Sequence, residues 1–304
     1  MNKLEEPLHD RKALQHRGVM VPSGCHGGQA TEPRKSVGFR IETTLGRLYV
    51  ESIGVGPTII TWPSLFFAGV TLCSQIDTLA RDYRVILIDP PGHGRSDSPA
   101  CRFSLADCAH AALNVLDEVG IERAAFLGAS WGGAVGVAMA LRSPERLRGL
   151  VLMNAPMHGF TRRERLQFSI LSQLLRTLGP RAFLIRSVTS AQLSEEVRRA
   201  QPALEVALAD CLRAADRRAL TLAMRSSLLS MPSLYPRLGE LHLPTLVLTG
   251  ARDTVIDVEQ ARSAADAIAG SCFEVVQRSA HQSGFEAPEV VNPIIAKFLL
   301  SLRP

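Results

Sequence analysis

Gly128-Ala129-Ser130-Trp131-Gly132 is the stretch of sequence that decides the fold. It has the pattern G-x-S-x-G, and it stands between two segments of different character. The apolar run 124–127 before it predicts a buried strand, and the small apolar residues of 134–141 after it predict a helix. A strand, G-x-S-x-G and a helix in this order are typical of a nucleophile elbow, a tight turn from which the serine hydroxyl projects.

The small residues around Ser130 have a steric reason. A nucleophile elbow holds the serine backbone in a strained conformation, so the residues that flank it must be small. The helix that follows would direct N–H groups and its positive dipole end at the reacting oxygen. The alternative is a glycine-rich strand-to-helix turn with an inert serine, which the motif alone leaves open.

Short apolar runs alternate with helical patterns along the chain from Val37 onward. Two alternating segments on either side of Gly46 predict an antiparallel hairpin. Predicted strands follow near 58–61, 85–88, 124–127, 150–153, 245–248 and 273–276, and predicted helices include 72–80, 104–119, 258–268 and 287–300. This alternation predicts an α/β fold, with a mostly parallel central sheet that is flanked by helices.

The strand pattern disappears between Met157 and Pro236. Thr161-Arg162-Arg163-Glu164 fits a capping box, and the helical apolar stripe after it ends at Gly179-Pro180. Further helices are predicted over 195–199 and 203–231. We therefore expect a helical cap, residues 157–236, inserted after the sixth strand between two core segments, 37–156 and 237–304. It should lie over the carboxyl edge of the sheet, where ligands bind in such folds, although a helical subdomain without a role in the site is the alternative.

A serine nucleophile needs a general base, and the base needs a carboxylate that orients it. Among eight histidines, His281 lies in a predicted loop between a strand and the last helix, at the carboxyl edge of the sheet. Asp253 follows a buried strand and is the predicted carboxylate, with Asp257 as the fallback. The preceding strand ends at Asn154, which is not acidic. Asp253 could instead be an ordinary turn or helix-capping aspartate.

The chain order Ser130, Asp253, His281 is that of the α/β-hydrolase fold. Residues 39–304 resemble the esterase, lactonase and haloperoxidase-like group of this family. The motifs that carry the resemblance are Gly128-Ala129-Ser130-Trp131-Gly132-Gly133, Asp89-Pro90-Pro91-Gly92-His93-Gly94-Arg95-Ser96, Gly250-Ala251-Arg252-Asp253 and Ser279-Ala280-His281. The resemblance implies a Ser-His-Asp triad in a cofactor-free hydrolase. It also implies a structural role for 89–96, so we do not expect His93 to be catalytic.

The sequence departs from the family pattern after its early strand. The family usually carries His-Gly at the start of its oxyanion loop, and here Trp62-Pro63-Ser64 stands in that place. The favoured register makes the backbone N–H groups of Ser64 and Trp131 the oxyanion donors. A register shifted by one residue would put Pro63 at the donor position, and proline has no N–H. We expect Trp62 and Leu65 near the substrate pocket, and the Trp131 indole either in the acyl pocket or under the cap.

Composition narrows the class of protein. The 304 residues are 46% hydrophobic and 21% charged, which suits one large or two small globular units. The net charge is +5, but the basic residues are scattered and not interleaved with aromatics, so nucleic-acid binding is disfavoured.

No stretch is long and apolar enough to span a bilayer. Residues 1–36 mix glycine, proline and charged residues without periodicity and predict a disordered extension.

The six cysteines are widely spaced and show no zinc-ligand pattern. Most lie in apolar segments, which predicts reduced thiols and hence a cytoplasmic protein with no metal and no cofactor.

The predicted reaction is hydrolysis of a carboxylic ester, a lactone or a related carbonyl compound through an acyl-enzyme. Carbon–carbon bond hydrolysis or perhydrolysis on the same triad is one alternative, and a non-catalytic ligand-binding protein is another. The leucine-rich cap with flanking arginines predicts an apolar small-molecule substrate of modest size, and it allows for a carboxylate on that substrate. The sequence determines neither the substrate nor the oligomeric state.

Overall fold

A central sheet of eight strands organises residues 36–303, which are the residues that the computed structural model describes. The strand order is β1-β2-β4-β3-β5-β6-β7-β8, and all neighbouring pairs from β4 to β8 are parallel. The strands are Ser36–Thr43 (β1), Gly46–Ile53 (β2), Thr58–Trp62 (β3), Arg84–Ile88 (β4), Ala124–Ala129 (β5), Leu147–Met153 (β6), Thr245–Gly250 (β7) and Cys272–Val276 (β8).

Eleven α-helices accompany the sheet within the described residues. They are Cys73–Leu79 (α1), Leu105–Glu118 (α2), Trp131–Arg142 (α3), Arg162–Leu178 (α4), Ala182–Gln192 (α5), Glu195–Ala200 (α6), Pro202–Ala214 (α7), Arg217–Met224 (α8), Val258–Asp266 (α9), Ser283–Glu286 (α10) and Pro288–Ser301 (α11). The hairpin predicted around Gly46 is confirmed by the antiparallel pairing of β1 with β2. The predicted fold class, a mostly parallel sheet flanked by helices, is confirmed as well.

The sheet is buried on both faces. Successive side chains of a strand point to opposite faces, and in β5 Phe126 belongs to one hydrophobic cluster while Ala125 and Leu127 belong to the other. Every residue of β3, β5 and β7 is buried. Continuous apolar runs, rather than alternating ones, are therefore what these strands require.

Five of the helices, α4 to α8, lie between β6 and β7. The predicted capping box is present at the start of α4, where the Glu164 amide donates to Thr161 Oγ1 and the Thr161 amide donates to the Glu164 carboxylate. The prediction of one helix over 203–231 is wrong. Asp216 begins a new helix there, because its carboxylate accepts the Ala219 amide of α8 at 2.8 Å. A further helix, α5, was not predicted.

The fold brings the ends of four neighbouring strands to one edge of the sheet. Ser130 directly follows β5 and Asn154 directly follows β6. Asp253 comes three residues after β7, and His281 comes five residues after β8. Because β5 to β8 are adjacent and parallel, their carboxyl ends meet, and these side chains converge.

The extension predicted over residues 1–36 lies outside the described residues, except for Ser36, which begins β1. Among residues 36–303, no helix is both long enough and apolar enough to cross a membrane. The same part of the chain holds no group of His, Cys, Asp and Glu side chains that could bind a metal ion.

Candidate active site

Ser130 occupies a strained turn between β5 and α3. Its φ of 51° lies in the left-handed region that L residues rarely adopt, and its amide donates to the Met153 carbonyl at 2.7 Å. A Cβ atom on Gly128 would overlap the Gly132 carbonyl, and one on Gly132 would overlap the Trp62 carbonyl. Both glycines of the motif are therefore sterically required, and the turn holds the serine in the geometry of a nucleophile elbow.

The structure brings Ser130, His281 and Asp253 together in one hydrogen-bonded chain. The Ser130 Oγ lies 2.8 Å from His281 Nε2, and His281 Nδ1 lies 2.8 Å from Asp253 Oδ2. An ionised carboxylate can only accept, so Nδ1 carries the hydrogen and Nε2 is left to accept the serine proton. His281 and Asp253 are both buried. The arrangement can therefore transfer a proton from the serine to a shielded, oriented imidazole.

Four donors surround the Asp253 carboxylate. Its Oδ1 accepts the amides of Val255 and Ile256 at 2.8 and 3.0 Å. Its Oδ2 accepts His281 Nδ1 and Asn154 Nδ2, each at 2.8 Å. Burial alone would raise the pKa of Asp253, but the neighbouring His281 and these hydrogen bonds lower that pKa below its usual value. Asp253 is thus held in the ionised form that orients an imidazole.

Asp257, the fallback carboxylate, has a different place. It caps α9, where its Oδ1 accepts the Gln260 amide at 2.7 Å. Its position four residues after Asp253 puts it at the start of the helix, whereas the carboxylate that contacts His281 is that of Asp253. The two aspartates can therefore be distinguished by substitution.

Asn154 is a site residue that the sequence reasoning missed. Its Nδ2 donates to Asp253 Oδ2 and, at 3.1 Å, to the carbonyl of Ala280. Its Oδ1 accepts the Ser283 hydroxyl at 2.6 Å. The amide orientation is fixed, because a carboxylate and a carbonyl can only accept. The available signal was its position directly after a strand at the active edge, next to the strand that carries Asp253.

A second buried carboxylate joins the His281 loop to the helical insertion. Glu286 accepts the amide of Ala280 and the amide of Ser194, both at 2.8 Å. Burial raises the pKa of Glu286, although these hydrogen bonds oppose the rise. Gln282 adds a parallel link, because its Nε2 donates to Gln192 Oε1 at 2.6 Å. The segment at the end of α5 is thus fastened to the residues on both sides of His281.

The turn after β3 faces Ser130 with Leu65 and Phe66. The hydroxyl of Ser64 points away and bonds the side-chain amide of Gln282. No hydrogen bond within the described residues uses the Leu65 amide, whereas the Phe66 amide donates to His93 Nε2 at 3.2 Å. Leu65, expected at the pocket, therefore lies in its wall, and Ser64, the expected oxyanion donor, does not line it.

The side chain of His93 contacts the turn after β3. Its Nδ1 lies 3.0 Å from the Pro91 carbonyl, so the hydrogen is on Nδ1 and Nε2 accepts the Phe66 amide. Full burial lowers the pKa of His93 to about 4. His93 is thus a neutral structural residue, and its contacts are with the turn and not with Ser130.

The two tryptophans occupy different places. Trp62 is fully buried and does not line the cavity at Ser130, contrary to the expectation for it, because its ring packs edge-on against Trp131 with 5.7 Å between centroids. Trp131 has a wall position next to Ser130. Its indole is buried against the rings of Trp62, His93 and Phe103, and a place for it in the acyl pocket stays a prediction.

A cavity of about 370 Å³ opens above Ser130 and His281. The core contributes Leu65, Phe66, Trp131, Pro156, Val255 and Ile256 to its wall, and the insertion contributes Phe160, Gln167, Phe168, Leu171, Ser187, Val188, Ala191, Gln192, Ser227 and Leu228. Among residues 36–303, no Arg, Lys, Asp or Glu side chain lines it. The sequence allowed for a carboxylate on the substrate because arginines flank the leucines of residues 157–236. Those arginines do not line the cavity, so the cavity does not support a substrate carboxylate.

Comparisons with known proteins agree with this geometry. A family model described as the alpha/beta hydrolase fold matches residues 66–288. The chain is 29% identical over 255 residues to a 2-hydroxy-6-oxononadienedioate/2-hydroxy-6-oxononatrienedioate hydrolase from Paraburkholderia phymatum, and the match covers 81% of this chain and 84% of that protein.

Solved structures share the fold at lower sequence identity. A thermophilic esterase from Thermogutta terrifontis superposes with a TM-score of 0.83 at 23% identity, covering 88% of this chain and 100% of that one. An enol-lactonase from Burkholderia xenovorans LB400 gives a TM-score of 0.81 at 23% identity, covering 86% of this chain and 100% of that one.

Proposed function

The chain belongs to the alpha/beta hydrolase fold family, and within it we propose a serine hydrolase that cleaves a neutral, largely apolar carboxylic ester or lactone. The observation that carries the proposal is the hydrogen-bonded chain from Ser130 through His281 to Asp253 at the floor of an apolar cavity. The nucleophile is Ser130, the general base is His281, and Asp253 orients the imidazole.

The reaction follows from the tautomer of His281. Its Nε2 takes the Ser130 proton as the Oγ attacks the carbonyl carbon, and the imidazolium then gives that proton to the departing alcohol oxygen. Water, deprotonated by the same Nε2, attacks the acyl-enzyme and releases the acid with the free serine. Asp253 stabilises the imidazolium in both halves, because four hydrogen-bond donors hold it ionised.

The oxyanion would be held by backbone N–H groups at the two turns that meet at Ser130. One donor is the Trp131 amide at the start of α3, where the helix dipole also favours negative charge. The amides of Ser64 and Leu65 both make no hydrogen bond within residues 36–303, and we assign the second donor to Leu65 because Leu65 stands in the cavity wall and Ser64 does not. Ser64 stays the alternative donor.

The cavity wall supports a neutral substrate. A buried carboxylate on a substrate would need a cation or several donors to offset its lost hydration. Besides His281, the polar side chains that the described residues bring to the wall are Gln167, Gln192 and small hydroxyls. Apolar side chains of the insertion cover the serine, so we propose that residues 157–236 act as a cap that selects the acyl or alcohol group by size and apolarity.

Carbon–carbon bond hydrolysis is the second candidate, and the relative from Paraburkholderia phymatum favours it by its name. The name of that enzyme's substrate denotes a dicarboxylate. In the part of the chain that the structure describes, no arginine or lysine lines the cavity to pair with such groups. Ester or lactone hydrolysis is therefore the better match to the side chains present.

A substrate panel tests the proposal. The purified protein is assayed with p-nitrophenyl esters of increasing acyl length, with neutral lactones, with β-diketones and with a hydroxy-oxo-dienedioate, each in parallel with Ser130→Ala. We expect turnover of neutral esters or lactones that Ser130→Ala abolishes. Turnover of the dienedioate alone would replace the proposal by the carbon–carbon reaction, and turnover unaffected by Ser130→Ala would overturn both.

A further inference from the structure

A second cavity, also of about 370 Å³, lies at the boundary between the helical insertion and the core, and its wall is dominated by arginine. Its wall is formed by Arg102, Arg176, Arg217, Arg218, Thr221, Leu222 and Arg225, and it is called the arginine pocket below. Arg102 comes from the segment before α2, Arg176 from α4, and the others from α8 and the turn after it. The arginine pocket shares no residue with the cavity at Ser130.

The charge of the arginine pocket is not compensated by the protein. No acidic side chain lines it, and among the described residues none of its five arginines has a carboxylate within 4.0 Å. Exposed arginines elsewhere do find such partners, as Arg237 does with Glu240 and Arg252 with Glu196. Five like charges around one concave surface raise the local positive potential and so attract an anion to it.

A few contacts hold the segments that form the arginine pocket, and these contacts leave most of its guanidinium N–H donors free. The Arg218 Nη2 donates to the Ala100 carbonyl at 3.1 Å, which ties α8 to the core segment before α2. The Arg217 guanidinium lies against Gly179 at the end of α4, so close that a Cβ there would overlap it. The nearby Asp216 is used as the cap of α8. Arg218 is thus held by a hydrogen bond to a backbone carbonyl and Arg217 by packing, and neither is held by a counter-charge.

We propose that the arginine pocket is a binding site for a phosphate-bearing small molecule, with a diphosphate as the group it recognises. Guanidinium groups present paired donors that match phosphate oxygens, and each such hydrogen bond is charge-assisted. The volume lies at the lower end of the roughly 300–1,000 Å³ of ligand pockets and exceeds what a single phosphate requires. A bound diphosphate would connect α4, α8 and the segment that holds Arg102, and so fasten the insertion to the core.

Isothermal titration calorimetry of the full chain with inorganic pyrophosphate tests the site. Titrations with orthophosphate and with potassium chloride, at the same ionic strength, are the comparisons. We expect saturable one-to-one binding of pyrophosphate, weaker binding of orthophosphate and none of chloride. Ser130→Ala should bind pyrophosphate as the wild type does, because the two cavities are separate.

A matched pair of variants distinguishes a site from general attraction to a basic protein. Arg217→Gln/Arg225→Gln removes two charges from the pocket, and Arg213→Gln/Arg237→Gln removes two charges from arginines that are paired elsewhere. The pocket variant should bind pyrophosphate about tenfold more weakly or worse, the loss expected for charge-assisted hydrogen bonds, and the control should bind as the wild type does.

Circular dichroism checks that both variants fold, and all substituted arginines are exposed. The proposal would be overturned if the two variants lost pyrophosphate affinity equally, or if the wild type showed no saturable binding of pyrophosphate. It would also be overturned if potassium chloride, added at the same ionic strength, abolished the binding of pyrophosphate.

Discussion

The side chain of Asn154 donates a hydrogen bond of 2.8 Å to Asp253 Oδ2, the same oxygen that faces His281. Asn154 is held in turn by the Ser283 hydroxyl and by the Ala280 carbonyl, which lies next to His281 in the chain. The side-chain amide of Asn154 therefore fixes both the Asp253 carboxylate and the loop that carries His281. Asn154 acts through other residues, so it is a positioning residue of the proposed triad.

Replacement of Asn154 should impair catalysis without removing any triad member. Asn154→Leu leaves Asp253 short of one donor, and a hydrogen bond to a charged group is worth about 1.5–3 kcal/mol. We expect kcat to fall by about 10- to 100-fold, with KM nearly unchanged. The pKa of Asp253 should rise with the loss of the donor. A carboxylate that is less stabilised by other donors favours the protonated imidazole, so the acid limb of the pH–rate profile, which reports loss of the neutral base, should move to higher pH.

The variant Ser283→Ala is the control for Asn154, because it removes only the outer hydrogen bond and keeps the contact with Asp253. It should retain most of the activity and the original acid limb. If Asn154→Leu keeps wild-type kcat and an unmoved pH profile, the assigned positioning role is incorrect.

Asp253 and Asp257 should respond very differently to the same substitution. Asp253→Asn would present an amide to His281 Nδ1, favour the wrong imidazole tautomer and lower kcat by about 10⁴-fold, the scale known for such triads. Asp257→Asn keeps a good helix cap, since asparagine caps about as well as aspartate. Steady-state kinetics of the two variants check this, and a large loss at Asp257 would require the carboxylate to be reassigned.

His93 should make the stability of the protein depend on pH. Its pKa is lowered to about 4 in the folded protein from the ordinary value of 6.5. The unfolded chain therefore binds the extra proton first, and the free energy of unfolding falls as pH decreases from 6.5 to 4, by about 3 kcal/mol from this group. Above pH 6.5 the group contributes no pH dependence.

The variant His93→Gln tests this, because glutamine can accept the Phe66 amide but does not titrate in this range. Urea unfolding at pH 7 and pH 5 should show a smaller difference in the variant than in the wild type. Identical differences would mean that His93 does not contribute to the acid sensitivity, whatever the variant's absolute stability.

Leu171 and Leu175 offer a matched test of the insertion. Leu171 lines the cavity at Ser130, whereas Leu175 is buried one turn further along α4 and does not line it. Leu171→Ala should shift the preferred acyl length upward, since one methylene is worth about 1–3 kcal/mol in an apolar pocket. Leu175→Ala should leave the preference unchanged and lower stability by about 2–5 kcal/mol. Chain-length profiles and thermal melts of both variants separate the roles, and an unchanged profile for Leu171→Ala would place the selective surface elsewhere.

The fold could be predicted because its signals are local. Apolar runs, capping boxes and the glycines around Ser130 each act within a few residues, so the strands and the G-x-S-x-G turn stand where the sequence indicates. The helices of the insertion were harder. The long apolar pattern of 203–231 conceals the break between α7, which ends at Ala214, and α8, which the Asp216 carboxylate caps.

Other parts of the site depend on contacts between distant segments. Asn154 and Asp253 are hydrogen-bonded although 99 positions separate them in the chain, and Glu286 and Ser194 are hydrogen-bonded across a separation of 92 positions. Neither pairing leaves a pattern in a single sequence. The register after β3 is similar, because the conformation of the folded turn, and no local sequence pattern, puts Leu65 and not Ser64 in the cavity wall.

Covalent labelling reports directly on whether Ser130 is an activated nucleophile. The wild-type protein and Ser130→Ala are treated with a fluorophosphonate probe, and intact mass and peptide mapping locate the adduct. We expect a single adduct on Ser130 in the wild type, none in a folded Ser130→Ala protein, and an activity loss of several orders of magnitude in that variant. A wild-type protein that remains unlabelled, or a Ser130→Ala variant that still reacts and turns over substrate, would contradict this role of Ser130.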